Sequence, residues 1–222
     1  MEDNLGLRER KKRRTRRLIA DVALGLFIER GFEAVTLAEV ATIADVSINT
    51  IFNYFPTKED LFFDRQAEVE DLWSRVVRER GPGEPAVAAL RRDYLAALDR
   101  RDPRSGLNDG LVAFARVIQG SPALQARERE IRARSDAALA HTLATEAGAG
   151  PGDLTPRVVA GLVGSVYRPL CAESRRRLLA GDTADAVYPD LRAAAQWAFA
   201  LLETGVGSYA TRSARTAHGA PR

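Results

Sequence analysis

Cysteine occurs once in this 222-residue chain, at Cys171, and histidine only at His141 and His218. A lone cysteine excludes an internal disulfide, and the widely separated histidines give no zinc-ligand spacing, so neither a metal nor another cofactor is expected. Lysine is nearly absent as well. Apart from Lys11, Lys12 and Lys58 every basic residue is arginine, and single arginines outside a cluster carry little information. No apolar run approaches the roughly 20 residues of a bilayer span. The first residues are charged where a secretory signal would be apolar, so a cytoplasmic chain without membrane insertion is the expectation. Neither a glycine-rich phosphate loop nor a set of nucleophile, base and orienting group is recognisable, which argues against an enzyme. What remains, 45% hydrophobic and 28% charged residues, is ordinary globular composition and excludes disorder throughout.

The formal charge of +3 is placed unevenly. RERKKRRTRR at residues 8–17 holds eight basic residues and one acid, Glu9. From Leu18 to Asp60 the balance reverses, with Arg30 and Lys58 against seven acids. Basic character is thus a property of an N-terminal arm, residues 1–17. Such a run is either a solvated tail or the charge that draws a chain to a polyanion, and the segment that follows favours the second.

That segment reads as helices. From about Arg10 to Arg30, Ile19, Val22, Ala23, Leu26 and Phe27 recur at helical spacing and form one apolar stripe. Gly31 supplies a helix stop. Thr36 with Glu39 three residues later is a capping-box pattern, which starts a second helix carrying Leu37, Val40, Ala41 and Ala44 on one face. Asp45 marks a turn, Ser47 caps a third helix from about Ile48, and Pro56 ends it near Phe55. In this third helix Ile48, Ile51, Phe52 and Phe55 share a stripe that can pack inward. Asn49, Thr50 and Asn53 are left on the other side. Those three are short, neutral and polar: an asparagine can pair bidentately with adenine in the major groove, and a threonine methyl can pack on thymine. The plain alternative is a polar outer face with no partner.

The run TRRLIADVALGLFIERGFEAVTLAEVATIADVSINTIFNYFPTKEDLF resembles the DNA-binding domain of TetR-family regulators over about residues 13–63. It has the order of helix one, Gly-aromatic, Thr, turn, Val-Ser, aromatic-rich recognition helix and Thr-Lys-Glu. The resemblance implies that Thr36 and Ser47 touch phosphates and that Asn49, Thr50 and Asn53 face base edges. Tyr54 and Lys58 match positions that grip the DNA backbone, and Arg13, Arg14 and Arg16 of the arm add phosphate contacts. Surface solvation, or pairing with a nearby acid, is the plain alternative for Lys58. Three residues depart from the family pattern: Asp45 where glycine is usual, Asn49 where a small or basic residue is common, and Phe52 where tyrosine is frequent. Asp tolerates a left-handed turn. Phe52 has no hydroxyl to offer a phosphate.

Beyond the third helix the pattern stays helical. A fourth helix is expected from about Lys58 to Arg80, ended by GPGEP at 81–85, and further helices at 85–101, 107–119, 122–147, 155–179 and 184–204. The run QAREREIRARS at 125–135 alternates charge in helical register and reads as a solvated face. Gly161, Gly164 and Ser165 allow close helix approach, and 187–202 carry a broad apolar surface. In TetR-like regulators the last two helices form the dimer interface; the alternative is that these faces belong to the monomer core. By the same resemblance Tyr94, Phe114, Arg116, Tyr167 and Cys171 fall in helices that surround an effector cavity.

The expected fold is all-α, a three-helix helix-turn-helix domain followed by a larger effector-binding and dimerisation domain. The expected division is an arm at 1–17, the helix-turn-helix domain at 18–63, the second domain at 64–205 and a disordered tail at 206–222. The expected function is a homodimeric DNA-binding regulator, a repressor released from a near-palindromic site on duplex DNA by a small-molecule effector. The alternative is an architectural or activator-type DNA binder without effector control.

Overall fold

Arginine and lysine are good helix formers, and no proline stands between Gly6 and Gly31, so the basic arm folds as the first turns of a long helix rather than as a tail. The computed structural model describes residues 6–211. Its α1 is Leu7–Arg30, followed by α2 (Leu37–Ile43), α3 (Ile48–Tyr54), α4 (Lys58–Phe62), α5 (Gln66–Arg78) and α6 (Ala86–Asp99). A 3-10 turn, Pro103–Ser105, leads to α7 (Leu111–Gln119), α8 (Pro122–Ala147), α9 (Thr155–Leu179) and α10 (Ala184–Val206). The fold is all-α, with no strand among the described residues.

The residues form two compact units. The first comprises the described residues up to Ala67 together with Ala113–Glu130; the second comprises Glu68–Val112 and the described residues from Ile131 on. Residues 113–130, which sequence punctuation assigns to the second domain, therefore pack with the helix-turn-helix. Apolar side chains explain why: Val117, Ile118 and Leu124 join the core built by Ile19, Ala23 and Phe27 of α1. The Phe114 ring stacks on Phe62 with centroids 4.2 Å apart.

The expected fourth helix is broken. It stops at Phe62 and resumes at Gln66, with Phe63 at φ −97°, ψ 47°. Adjacent residues of a straight helix point about 100° apart. The turn instead lets both Phe62 and Phe63 pack on Phe114, at 4.2 and 6.0 Å between ring centres. Within the same unit the Asp60 carboxylate is shared. One oxygen closes a capping box with Thr57, and the other accepts a 2.6 Å bond from Arg127 Nη2. Arg127 lies in the run expected to be solvated, yet its side chain is only 17% exposed, because Asp60 takes its charge.

The second unit is centred on rings. Tyr167 lies 4.6 Å from Trp73, 4.9 Å from Tyr94 and 5.6 Å from Phe199. Apolar faces of α6, α9 and α10 surround them. Arg80, expected to end a helix, is buried instead. Its guanidinium donates to the carbonyls of Val77, Glu84 and Ala210 and pairs with Glu146. Of the tail expected at 206–222, Val206 closes α10 and Ala210 is fastened by Arg80; residues 212–222 lie outside the described residues.

Candidate nucleic-acid interface

Helices α2 and α3 have only seven residues each and depend on their caps. At α2, Thr36 Oγ1 accepts from the Glu39 amide at 3.2 Å. The Glu39 carboxylate accepts from the Thr36 amide at 2.8 Å and from Arg30 Nη2 at 2.8 Å. The Thr36 amide bond, then the Arg30 and Thr36 side chains, hold the Glu39 carboxyl down at about 2. At α3, Ser47 Oγ accepts from the Thr50 amide at 3.0 Å and shares a 2.8 Å hydroxyl contact with Thr50 Oγ1. Between the helices Asp45 sits at φ 53°, the left-handed conformation that its position demands and that glycine would adopt without strain. The Val46 amide then reaches back to the Ala41 carbonyl at 3.0 Å and closes the turn.

The inward side of α3 is narrower than its periodicity predicts. Ile51 and Phe55 are buried, but Ile48 is 43% and Phe52 50% exposed. A two-turn helix lying on α1 and α2 hides only one edge, so half of the apolar stripe remains outside beside the exposed Asn49 and Asn53. Thr50 is half-buried, its hydroxyl committed to Ser47.

The cations divide into two groups. Arg13 and Arg14 are exposed on α1, Arg13 within 3.6 Å of Glu9. Lys11, Lys12, Thr15 and Tyr54 border a recess of about 700 Å3, which sets positive charge beside the C-terminal end of α3. Arg16 is turned inward. It donates to the Tyr54 carbonyl at 2.7 Å, pairs with Asp64 at 2.8 Å, and lies 4.3 Å from the centre of the Phe55 ring. Lys58 is turned inward too, donating to the Phe32 carbonyl at 2.5 Å. These two cations hold the ends of α1, α3 and α4 rather than standing free.

The residues from Ile19 to Asp64 match the family model described as bacterial regulatory proteins of the tetR family. These residues are a TetR-family DNA-binding domain. It is 29% identical over 182 residues to the HTH-type transcriptional regulator TcmR of Streptomyces glaucescens, covering 80% of this chain and 79% of TcmR. It is 41% identical over 75 residues to the transcriptional repressor KstR of Rhodococcus jostii, a match of 33% of this chain and 34% of KstR. A TetR-family regulator from Mesorhizobium loti superposes with a TM-score of 0.55 at 18% identity, over 87% of this chain and 97% of that one, and so shares the fold. A chain that carries this domain is a DNA-binding transcriptional regulator.

The five effector candidates are not brought together. Tyr94, Tyr167 and Cys171 do meet in the second unit. The Tyr94 hydroxyl donates to the Ser105 carbonyl at 3.4 Å, Cys171 Sγ lies 3.8 Å from the same carbonyl, and the Tyr167 hydroxyl donates to the Leu90 carbonyl at 3.2 Å. Burial pushes both tyrosine phenols up. Phe114 instead belongs to the first unit, stacked on Phe62, and Arg116 is exposed to solvent. An aromatic beside an arginine gave no signal of which side each would face.

On α9 and α10 a groove of about 690 Å3 opens, lined by residues such as Leu162, Val166, Leu170, Ala198 and Leu202. Trp197 and Leu201 border it at 67% and 55% exposed. Charged side chains stand at its edge: Arg177 pairs with Asp182 and Asp190 at 2.7 Å each. No helix among the described residues is long and apolar enough to cross a membrane.

Proposed function

We propose that this chain acts in the cytoplasm as a homodimeric repressor that holds a near-palindromic operator and releases it on binding a small-molecule effector. The carrying observation is the outer face of α9 and α10, where Trp197, Leu201 and Leu162 leave a contiguous apolar surface in water. A second copy removes that surface from solvent, and two-fold pairing provides two copies of α3 for successive major grooves. Asn49 and Asn53 take base edges, while Arg13, Arg14, Ser47 and Tyr54 take the sugar-phosphate backbone. Arg16 and Lys58 contribute by fixing the helix that does the reading. Thr36 is a cap, because Glu39 occupies both its amide and its hydroxyl. The name of KstR, a repressor, supports the sign of regulation.

For the effector, Tyr94, Tyr167 and Cys171 offer the mixed aromatic and polar surface that suits a small molecule. The effector works by preferring an arrangement of the dimer in which the two copies of α3 no longer match the groove spacing; equal affinity for both arrangements would change nothing. The direct ring-on-ring packing of Trp73, Tyr94 and Tyr167 favours a second reading, a regulator without effector control. Selecting bound duplexes from random DNA and sedimenting the complex tests the proposal. Two chains per duplex on a near-palindromic site are expected; a monomer that binds no duplex at any salt removes it. A screen for compounds that release the selected duplex separates the two readings.

A further inference from the structure

Four exposed side chains on α3 fall into two rows. Ile48 and Phe52 are four residues apart, as are Asn49 and Asn53, so an apolar row lies beside an amide row. Each row runs about 6 Å along the helix, close to two base steps of a duplex. No charged residue occurs from Ser47 to Phe55, and the Thr50 hydroxyl is committed to Ser47. Most of what α3 can present to a partner is therefore two amides, one branched aliphatic chain and one phenyl ring.

We propose that Phe52, together with Ile48, reads thymine C5-methyl groups in the major groove, so that the bases read by α3 are A·T pairs. The inference rests on the assignment of α3 as the DNA-reading helix. The thymine methyl is the apolar group on the major-groove edges, and bidentate adenine contact is what an asparagine amide makes best. Phe52 has no hydroxyl and so donates nothing to a phosphate. Charge identifies DNA as the occupant of this face: Lys11 and Lys12 border the recess at Tyr54, the end of the same helix, where a polyanion is favoured over another apolar protein surface.

The test uses the full chain and duplexes selected from random DNA. Each thymine of the selected site is replaced in turn by deoxyuridine, which deletes only the methyl group. At one or two thymines per recognition helix, replacement weakens binding by the wild-type chain about fourfold, the transfer of one methyl group out of water. The same replacements have a smaller effect on Phe52→Ala, in which only Ile48 still meets a methyl group, and Phe52→Leu keeps more of the sensitivity. Because Phe52 is half-exposed, both variants stay folded, with Phe52→Leu closer to the wild-type Tm. Selected sites without A·T pairs under α3, or deoxyuridine effects equal in wild type and Phe52→Ala, overturn the inference while leaving α3 as the reading helix. Selection that returns no duplex overturns the inference together with the reading beneath it.

Discussion

Lys58 donates to the main-chain carbonyl of Phe32 at 2.5 Å, with its ammonium 4.4 Å from the centre of the Phe32 ring. The carbonyl follows Gly31, where α1 has ended, and so has no helical partner of its own. A lysine that the family pattern assigns to DNA is thus a clasp between α4 and the turn after α1. Lys58→Met is expected to cost about 1–3 kcal/mol in denaturant unfolding, the worth of a charge-assisted hydrogen bond. Unchanged stability with a shallower salt dependence of DNA binding would return Lys58 to the phosphates.

Arg14 and Arg16 lie two residues apart and should fail differently. Arg14→Gln weakens binding to every duplex alike and lowers the salt slope by about 0.9 for each phosphate the arginine neutralises, with no change in Tm. Arg16→Gln lowers Tm, because the Tyr54 carbonyl and Asp64 lose their partner. Identical thermal melts for the two variants would contradict the division.

Glu39 makes stability acid-sensitive in a defined window. Its carboxyl is held at about 2 by the Thr36 amide and Arg30, against 4.5 for a free glutamate. A depressed carboxylate stabilises the fold fully above the free value. That contribution fades as pH falls through the window and is gone once the pH passes about 2. Glu39→Gln should therefore flatten the stability profile between pH 4.5 and 2. A variant profile parallel to wild type over that range would show that the cap is not linked to folding.

Asp45 holds φ 53° in the turn between α2 and α3. Asp45→Gly relieves a left-handed side chain and should be neutral or stabilising by about 1 kcal/mol, whereas Asp45→Val should cost about 1–2 kcal/mol. Urea midpoints decide it. Equal losses for both substitutions would mean that the Asp45 carboxylate, not its backbone angle, matters.

Trp197 stands 67% exposed at the border of the α9–α10 groove. Trp197→Asp should leave the chain folded but monomeric in sedimentation, and should weaken operator binding roughly 100-fold or more because the two heads no longer bind as one bivalent unit. A dimer that persists in the variant would place the interface elsewhere.

Helix limits were largely legible because caps are local. Thr36 with Glu39, and Ser47 before Ile48, announce helix starts within four residues, and the structure forms both caps. Side-chain direction on α3 was less legible. Periodicity identifies an apolar stripe, but a seven-residue helix has neighbours on one edge only, and the sequence does not say that Ile48 and Phe52 fall beyond it. The break after Phe62 was hidden because its cause, the Phe114 ring, lies far along the chain. Arg127 was hidden for the same reason: its partner Asp60 is 67 residues away, and alternating charge alone looks solvated.

The bond from Arg127 to Asp60 also limits what can be exchanged between relatives. A fragment ending at Ala67 would carry Asp60 without its arginine and Phe62 without Phe114, and would lack Val117, Ile118 and Leu124. Hybrids that join one regulator's DNA-reading head to another's sensor at a single junction would thus inherit an unfinished head. A working chimera needs the stretch 113–130 transplanted along with the first 67 residues, two grafts from one donor.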